Sequence, residues 1–343
     1  MSTFKINNQL GETDILLGQN LELIEIMILD PATKVITDSN VYNSYKDLLK
    51  GTNPIVVEPG EQSKNFETYL QVQRKLLNDG VDRSYSLIGF GGGVVTDLTG
   101  FIASTYLRGL DFTLIPTSLL GMIDASIGGK TGINLDGYKN IIGTFNQPNK
   151  IIIHSDLLDT LPQIELLNGF SEAIKIALIK DKGLFEFLFQ YSEELIKLNY
   201  KYLEELIRRC VELKLEIVNL DTKEKGFRKL LNFGHTIGHA IEKIHGIPHG
   251  QAVSIGMMIE AELSQQVNLS TQDRDKVKEI LNEYKLPTEI EFDREKLLDA
   301  IYKDKKKTKE SIDLITLNKI GEADLYNMSF FELNLFLKSF EFS

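Results

Sequence analysis

The sequence predicts an α/β domain built on a parallel sheet, followed by an all-helical domain. Between residues 33 and 155, short runs rich in β-branched residues alternate with helical patterns, which is typical of parallel βαβ units. After Pro162 the pattern changes to long stretches with apolar residues at intervals of three and four, as in amphipathic helices. The chain has 343 residues, which is enough for two domains with one core each.

Five runs of the first half are predicted as strands because each is short, apolar and rich in β-branched residues. In chain order they are KVITD, PIVVEP, YSLIGF, DFTLIP and NKIIIHS. In the second half, residues 202–220 and 252–265 are predicted as helices, and residues 313–317 are one weak strand candidate. The domain boundary is predicted between Leu161 and Pro162, which divides the chain into residues 1–161 and 162–343.

Composition and charge exclude several classes of protein. The formal net charge is −11, whereas binding to a phosphate backbone needs a broad basic surface, so no nucleic-acid partner is expected. Cys210 is the only cysteine, which rules out an intrachain disulfide and a thiolate metal cluster. No apolar stretch approaches the roughly 20 residues of a membrane span, and the N-terminus lacks a signal-peptide pattern. A cytoplasmic protein without a membrane partner is therefore expected.

Four of the five histidines lie within fifteen residues, namely His235, His239, His245 and His249. This crowding predicts a metal or phosphate site. On the residues alone, two ligand geometries are open. Either His235 and His239 form an i, i+4 pair on one helix, or one of them joins His249 and a third ligand from elsewhere. The HExxH zinc helix is excluded because Thr236 occupies its glutamate position.

Two glycine-rich segments are candidates for binding anions. In GFGGGVVTD, glycines 91–93 separate a predicted strand from a predicted helix, where backbone N–H groups can approach a phosphate. The GxGxxG pattern is not met, because Val94 takes the place of its third glycine. In MIDASIGGKTGIN, Lys130 is interpreted as a charge aimed at a substrate anion. This segment is not a P-loop, since Asp124 occupies the position of the first P-loop glycine.

Glu172 and Lys175 lie three residues apart amid apolar neighbours in GFSEAIKIALI, so a helix places them on one face. A structural ion pair is one interpretation of this spacing. In a chain with a histidine cluster and no other obvious acidic ligand, Glu172 is also the natural third ligand of a divalent metal held with two histidines.

Taken together, these segments resemble the 3-dehydroquinate synthase family over nearly the whole chain. The runs that carry the resemblance are PGEQSK, GFGGGVVTDLTGF, TYLRG, IPTSLLGMIDASIGGKTGIN, GYKNIIGTF, GFSEAIKIALI, KEKGFRKLLNFGHTIGHAIE, HGQAVSIGM and KDKK. The resemblance implies a Rossmann-like, NAD-binding α/β domain and an all-α, metal-binding domain. It further implies zinc, or alternatively cobalt, as the metal, an active site in the cleft between the domains, and a homodimer.

The resemblance also implies roles for residues of this sequence. The implied metal ligands are Glu172, His235 and His249. The implied NAD-binding residues are Asp38, Glu61, Lys64, Gly92, Gly93, Val94, Asp97, Thr117, Ser118, Asp124, Lys130, Lys139, Thr160 and Leu161. The implied substrate-binding and catalytic residues are Asp124, Lys130, Lys139, Asn140, Lys175, Lys214, Arg228, Asn232, His239 and one or both of Lys305 and Lys306, with Arg108 reaching the neighbouring subunit's site. These cations suit a substrate that carries a phosphate and a carboxylate.

The reaction implied by the resemblance converts 3-deoxy-D-arabino-heptulosonate 7-phosphate to 3-dehydroquinate and phosphate. NAD takes a hydride from a secondary hydroxyl whose acidity the metal increases as a Lewis acid. Phosphate then leaves by β-elimination, NADH returns the hydride, and the ring opens and closes again as a carbocycle. NAD is therefore recycled within each turnover.

Three departures from the family pattern are present. Gln251 replaces the usual glutamate of HGEAV, beside an implied metal ligand, where such changes alter metal affinity by about 10–100-fold. Thr96 and the pair Gly121 and Met122 also depart, at positions without an implied role. The alternative functions are another sugar phosphate cyclase, a metal-dependent alcohol dehydrogenase of the same fold, and an inactive scaffold. The retained set of cations for two anions favours the synthase.

Overall fold

The computed structural model describes residues 2–18, 20–304 and 310–340. Lys305 and Lys306, both expected near the substrate, lie outside the described residues. The chain forms two compact units, which are Met1–Pro162 with Leu203–Lys223, and Gln163–Tyr202 with Glu224–Ser343. Within the described ranges, no helix combines the length and the apolar character needed to cross a membrane.

The segment Leu203–Lys223 belongs to the first unit, although the sequence-based division placed it in the second domain. Two of its side chains bond to residues of the first unit. Ser155 donates a hydrogen bond to Glu204, and Lys214 forms an ion pair with Asp124. These bonds join residues far apart in the sequence, so a periodicity argument along the chain could not detect them.

The first unit is built on one large sheet and one separate hairpin. Its strands are β1 Ser2–Asn8, β2 Gly11–Leu17, β3 Thr33–Asp38, β4 Ile55–Val57, β5 Ser86–Gly91, β6 Phe112–Pro116, β7 Lys130–Leu135, β8 Tyr138–Phe145 and β9 Lys150–Ile153. The seven-stranded sheet has the order β1-β2-β9-β6-β5-β3-β4 and is parallel except for the β1–β2 pair. The antiparallel pair β7–β8 forms the hairpin.

The five predicted strands correspond to β3, β4, β5, β6 and β9 and are confirmed. The central strands β3, β5 and β6 are buried almost throughout, as expected for parallel strands covered on both faces. The strands β1, β2, β7 and β8 were not predicted. Strand β8 is exposed along most of its length and β1 alternates between exposed and partly buried positions, so neither shows a continuous apolar run.

The helices are α1 Leu21–Ile28, α2 Ser39–Ser44, α3 Phe66–Asn78, α4 Gly93–Thr105, α5 Gln163–Lys180, α6 Lys182–Gln190, α7 Ser192–Ile196, α8 Tyr200–Leu220, α9 His235–His245, α10 His249–Val267, α11 Thr271–Glu283, α12 Arg294–Asp304 and α13 Phe330–Ser339. The two predicted helices lie within α8 and α10 and are confirmed. Side chains of Asn65, Asp181 and Ser270 cap α3, α6 and α11 by accepting hydrogen bonds from backbone N–H groups of the first turn.

The second unit is helical, as predicted, and its described residues also include one antiparallel hairpin. The hairpin consists of β10 Ser311–Lys319 and β11 Glu322–Ser329, and β10 contains the weak strand candidate. Its partner β11, with the sequence EADLYNMS, has no β-branched residue, so it gave no strand signal. The buried side of β10 packs with α9, α10, α12 and α13 in a core that includes Ile241, Ile259 and Leu314.

Glycines bring helices α9 and α10 unusually close together. Gly234 precedes α9 with a φ of +75°, a conformation that favours glycine. A Cβ atom on Gly256 of α10 would lie 2.0 Å from the carbonyl oxygen of Gly234, and one on Gly238 would lie 2.9 Å from that of Ala252. Backbone atoms cannot move aside as the end of a flexible side chain can. The backbones of α9 and α10 are therefore in direct contact.

Candidate functional site

In the first unit, the carboxyl ends of neighbouring parallel strands bring several predicted NAD-binding residues to one edge of the sheet. Gly91 at the end of β5 pairs with Pro116 at the end of β6, and the N–H of Thr117 donates to the carbonyl of Gly91 at 2.9 Å. A Cβ atom on Gly92 would lie 3.4 Å from Ser118 Oγ, so these two residues are adjacent. Ligands of open α/β sheets bind at such strand ends.

The glycine turn leads directly into α4. Gly92 is the N-cap residue of this helix, and Gly93 and Val94 are its first two residues. Backbone N–H groups of the first helical turn have no partner within the helix, and they carry the positive end of the helix dipole. The turn can therefore accept a phosphate group, as its sequence predicted. Asp38 at the end of β3 accepts hydrogen bonds from two backbone N–H groups of α2.

A polar network surrounds the buried Lys64. Its ammonium lies 2.6 Å from Asp97 Oδ2 and 2.6 Å from Asn140 Oδ1, and 3.8 Å from Glu61. Burial acts to lower the pKa of Lys64, but Asp97 and Glu61 outweigh it and raise that pKa. Asn134, which no sequence motif indicated, donates to Glu61 at 2.8 Å and accepts from the N–H of Asn140 at 2.9 Å. The network fixes the β7–β8 hairpin to the loop before α3.

Other predicted residues of the first unit differ in their surroundings. Lys214 on α8 forms an ion pair with Asp124, and Lys214 is buried. Thr160 donates a hydrogen bond to the hydroxyl of Tyr45 at 3.1 Å. The side chains of Arg108, Lys130, Lys139, Asn140 and Thr160 are exposed, and that of Leu161 is partly exposed. Arg108 has a φ of +71° in the turn after α4.

In the second unit, Glu172 brings two histidines together. Glu172 and Lys175 are buried on α5, and the ammonium of Lys175 forms an ion pair with Glu172 Oε2. The other carboxylate oxygen, Oε1, lies 3.5 Å from His235 Nε2 and 3.4 Å from His249 Nε2. This buried oxygen accepts no hydrogen bond from the described residues. A buried acceptor faced by two ring nitrogens is the arrangement that a divalent cation completes.

The charges at this cluster suit metal binding. Burial acts to raise the pKa of Glu172, but Lys175, His235 and His249 outweigh it and hold that pKa well below its ordinary value. Burial, reinforced by Lys175, lowers the pKa of His235 well below its ordinary value. Burial also acts to lower the pKa of His249, but the carboxylates of Glu172 and Glu242 raise it to about 9. At neutral pH, Glu172 is therefore ionised and His235 neutral, the forms in which both bind metals, whereas His249 is protonated in the metal-free protein and releases its proton when a metal binds.

Further groups hold the histidines in place. His235 Nδ1 lies 3.1 Å from the carbonyl oxygen of Phe233, and His249 Nδ1 lies 3.4 Å from Glu242 Oε2. The N–H of Gly250 donates to Asn168 Oδ1 at 2.9 Å, which ties the start of α10 to α5. The sequence reasoning missed Glu242 and Asn168. A signal was present, because Glu242 follows His235 by seven residues, which places both on one helix face.

A second group, formed by His239, Glu242 and His249, also has ligand atoms close enough to hold a metal. Its three residues are all partly exposed, whereas Glu172 of the first group is buried. The rings of His235 and His239 are 5.2 Å apart, as expected for an i, i+4 pair. Nε2 of His249 faces Glu172, and its Nδ1 faces Glu242. In the first group, Glu242 would therefore hold the ring of His249 in place without itself binding the metal. The buried oxygen of Glu172 favours the first group.

The remaining predicted residues precede α9. Arg228 is buried and Asn232 is partly buried, in the single turn Phe227–Asn232 that leads to the histidine helix. The side-chain amide of Asn232 donates to Glu224 Oε1 at 2.7 Å. The second unit therefore places cationic and polar groups on the segment that leads into α9, the helix that carries His235 and His239.

Family models described as 3-dehydroquinate synthase N-terminal and C-terminal match residues 54–168 and 169–307. The 3-dehydroquinate synthase of Thermoanaerobacter pseudethanolicus is 39% identical over 319 residues, which cover 89% of each protein. That of Pyrococcus abyssi is 43% identical over 274 residues, which cover 79% of this chain and 80% of the relative. The structure of a 2-epi-5-epi-valiolone synthase from Streptomyces hygroscopicus, with NAD⁺ and Zn²⁺ bound, has a TM-score of 0.85 at 27% identity. It covers 99% of this chain and 98% of its own.

Proposed function

The chain belongs to the 3-dehydroquinate synthase family, and we propose that it converts 3-deoxy-D-arabino-heptulosonate 7-phosphate to 3-dehydroquinate and phosphate. The observation that carries this proposal is the buried oxygen of Glu172, which faces His235 and His249 and accepts no hydrogen bond from the part of the chain that the structure describes. This donor set fits a divalent metal. The glycine turn at the start of α4 fits the phosphates of a dinucleotide.

We assign zinc, with cobalt as the alternative, to Glu172, His235 and His249, and NAD to the strand ends of the first unit. When bound, the metal supplies Lewis acidity to a substrate hydroxyl, and NAD accepts and returns a hydride. The chain's own residues hold the reacting groups. Lys175 keeps Glu172 ionised, and the carbonyl of Phe233 and the carboxylate of Glu242 orient the two ligand histidines.

We assign the two anionic groups of the substrate to the cations and amides that the resemblance implies. In the second unit these are Lys175, Arg228, Asn232 and His239, and in the first unit Lys130, Lys139, Asn140 and Lys214, while Asp124 is the ion-pair partner of Lys214. Arg228 is buried, and its planar fork of donors suits a carboxylate or a phosphate. In the first unit, the ion pair with Asp124 holds the Lys214 ammonium at one position, so that it does not need to be ordered when the substrate binds.

The experiment that tests this function measures release of inorganic phosphate from 3-deoxy-D-arabino-heptulosonate 7-phosphate by the zinc-loaded protein. NAD⁺ is supplied below the substrate concentration, and absorbance of NADH is followed in the same sample. Phosphate released in excess of NAD⁺, without accumulation of NADH, is the expected result, because the hydride returns within each turnover. Accumulating NADH would contradict the proposal and indicate a dehydrogenase.

The second candidate function is that of another sugar phosphate cyclase. The structure of the valiolone synthase matches nearly the whole chain at a TM-score of 0.85. A cyclase of that kind acts on a sugar phosphate without the carboxylate. The same phosphate assay separates the two activities when a phosphorylated heptulose that lacks the carboxylate is offered in parallel. Turnover of that sugar alone would establish the second candidate.

Replacing Arg228 by alanine is expected to raise the KM for the sugar phosphate about 10–100-fold, because a charge-assisted hydrogen bond contributes about 1.5–3 kcal/mol. The affinity for NAD⁺ is expected to stay within about twofold. Steady-state kinetics and fluorescence titration with NADH measure the two quantities. The neighbouring Lys229→Ala is the control, since Lys229 is engaged by Asp313 at 2.9 Å. A fall in NAD⁺ affinity with an unchanged KM would show that the anion site is misplaced.

We also propose a homodimer and a cytoplasmic location, as the family resemblance implies. Arg108 is exposed in the turn after α4, as a residue that reaches another subunit needs. Light scattering is expected to report twice the mass of one chain, and a monomeric mass would contradict the proposed dimer.

A further inference from the structure

A buried glutamate outside the assigned site lies behind one of its ligands. Glu260 on α10 is completely buried, and its Oε2 accepts a hydrogen bond from the N–H of Gly234 at 3.0 Å. Burial of a carboxyl group is costly unless it is hydrogen-bonded or paired. A leucine or an alanine would satisfy the packing of a helix core without that cost. The presence of a glutamate at this position therefore calls for a role that an apolar residue could not fill.

The close packing of α9 and α10 explains how Glu260 reaches this N–H group. Gly256 lies one helical turn before Glu260, and its Cα faces the carbonyl oxygen of Gly234 so closely that a Cβ atom would lie 2.0 Å from it. Because the two backbones touch at this point, a side chain one turn further along α10 can reach the amide that precedes α9. The carboxylate also lies at the positive end of the α9 dipole, which offsets part of its desolvation.

The N–H of Gly234 and the carbonyl of Phe233 are the two ends of one peptide group. Glu260 binds the N–H end, and the carbonyl end lies 3.1 Å from Nδ1 of His235. A carbonyl oxygen can only accept, so Nδ1 of His235 carries the proton and Nε2 carries the lone pair. Nε2 is the nitrogen that faces Glu172 Oε1 at 3.5 Å. A continuous chain of bonds thus leads from Glu260 through one peptide group to the nitrogen on the metal side.

We propose that Glu260 is a positioning residue for the metal, which acts on His235 through the Phe233–Gly234 peptide group. By holding the N–H end, the carboxylate fixes the plane of this peptide and strengthens its carbonyl as an acceptor. The carbonyl in turn holds the imidazole in one tautomer and one orientation. This inference rests on the proposed function, because it takes His235 as a metal ligand.

A simpler role for Glu260 is to cap α9. Gly234, the N-cap residue, has no side chain that could satisfy the free N–H groups of the first turn. A cap alone contributes to stability, and its loss would lower the melting temperature without a specific effect on the metal. The two roles therefore differ in what happens to metal affinity and to the tautomer of His235.

The first test uses the variants Glu260→Met, which keeps the volume but removes the acceptor, and Glu260→Gln, which retains an acceptor oxygen. Competition with a chromophoric chelator measures the Zn²⁺ affinity of each folded variant at 25 °C. We expect Glu260→Met to weaken Zn²⁺ binding about 10–100-fold, the range for loss of an outer partner of a metal ligand. Glu260→Gln is expected to restore the affinity to within about threefold of the unmodified protein.

The matched control is Ser264→Ala. Ser264 is equally buried on α10, where it accepts a hydrogen bond from the N–H of Leu317 at 2.9 Å and donates one to the backbone carbonyl of Glu260 at 2.6 Å. Its replacement removes buried hydrogen bonds of α10 but leaves the Glu260 carboxylate in place. Its replacement is expected to lower the melting temperature and to leave Zn²⁺ affinity unchanged. If Glu260→Met lowers the melting temperature to the same degree with no change in affinity, Glu260 is only a cap and the inference is wrong.

The second test needs no metal and leaves Glu260 unchanged. Nitrogen-15 NMR of the metal-free protein reports the tautomer of each histidine, and the resonances of His235 are identified by their absence in His235→Gln. The Nδ1–H tautomer is the expected form of His235, and the Nε2–H form would overturn the inference. If the unmodified protein binds no Zn²⁺ while His235 has the expected tautomer, the proposed metal site fails and the positioning contact stands.

Discussion

Replacing His249 by alanine is expected to abolish retention of the metal, whereas His239→Ala is expected to keep the metal and to lose activity. His249 Nε2 lies 3.4 Å from the buried oxygen of Glu172, so its removal opens the set of three ligands. Loss of a residue that only hydrogen-bonds to a metal ligand lowers metal affinity by up to roughly 100-fold. Loss of the ligand His249 itself is expected to lower Zn²⁺ affinity by more than that. Metal content after dialysis, measured by mass spectrometry, and phosphate release are the two measurements.

His245→Ala provides the matched control for this comparison. His245 belongs to the same cluster in the sequence, but it is exposed in the last turn of α9 and belongs to neither group of potential ligands. Its replacement is expected to change neither metal content nor activity. Equal metal loss in His239→Ala and His249→Ala would show that the metal is held by the alternative group with Glu242.

Replacing Lys175 by methionine is expected to destabilise the metal-free protein by about 3–5 kcal/mol, because it leaves the buried carboxylate of Glu172 without its ammonium partner. Saturation with Zn²⁺ is expected to recover part of this loss, since binding to the folded form stabilises it and the cation supplies a positive charge beside Glu172. Urea denaturation with and without a chelator measures both quantities.

Two further variants show whether charge is the cause. The double variant Lys175→Met with Glu172→Gln removes both charges and is expected to recover most of the lost stability of the metal-free protein. Lys182→Met removes a lysine from an ion pair with Glu186 at 3.7 Å, in which both side chains are about two-thirds exposed. An exposed pair contributes about 1 kcal/mol or less. A loss for Lys175→Met no larger than that for Lys182→Met would contradict this account.

The parts of the fold that could be predicted are those with a local signal. Strands such as YSLIGF and DFTLIP are continuous apolar runs in β5 and β6, and the glycine turn after β5 follows from its composition. The hairpins β7–β8 and β10–β11 could not be predicted in the same way. Strand β8 is exposed along most of its length, and β11 has no β-branched residue, so only β10 gave a weak strand signal.

Some residues of the candidate site could likewise be predicted from local motifs, and others could not. The residues Glu172, His235 and His249 belong to short motifs with recognisable chemistry, and the structure brings their side chains together. Asn134 forms a hydrogen bond with Glu61, which lies 73 residues earlier in the sequence. Glu260 forms one with Gly234, which lies 26 residues earlier. No spacing rule along one helix or strand joins residues so far apart. Supporting residues of this kind become visible only when the chain is folded.

The grouping of Leu203–Lys223 with the first unit bears on the order in which the protein folds during synthesis. The ribosome completes Met1–Pro162 before this segment exists, and the first part of the second unit is made in between. The nascent first unit therefore lacks one of its helical segments, in which Leu206, Ile207 and Val211 are fully buried in the folded chain, until α8 has been synthesised. A gene fragment that ends at Pro162 would encode a first unit without this segment, so the compact first unit is not the continuous N-terminal half of the chain.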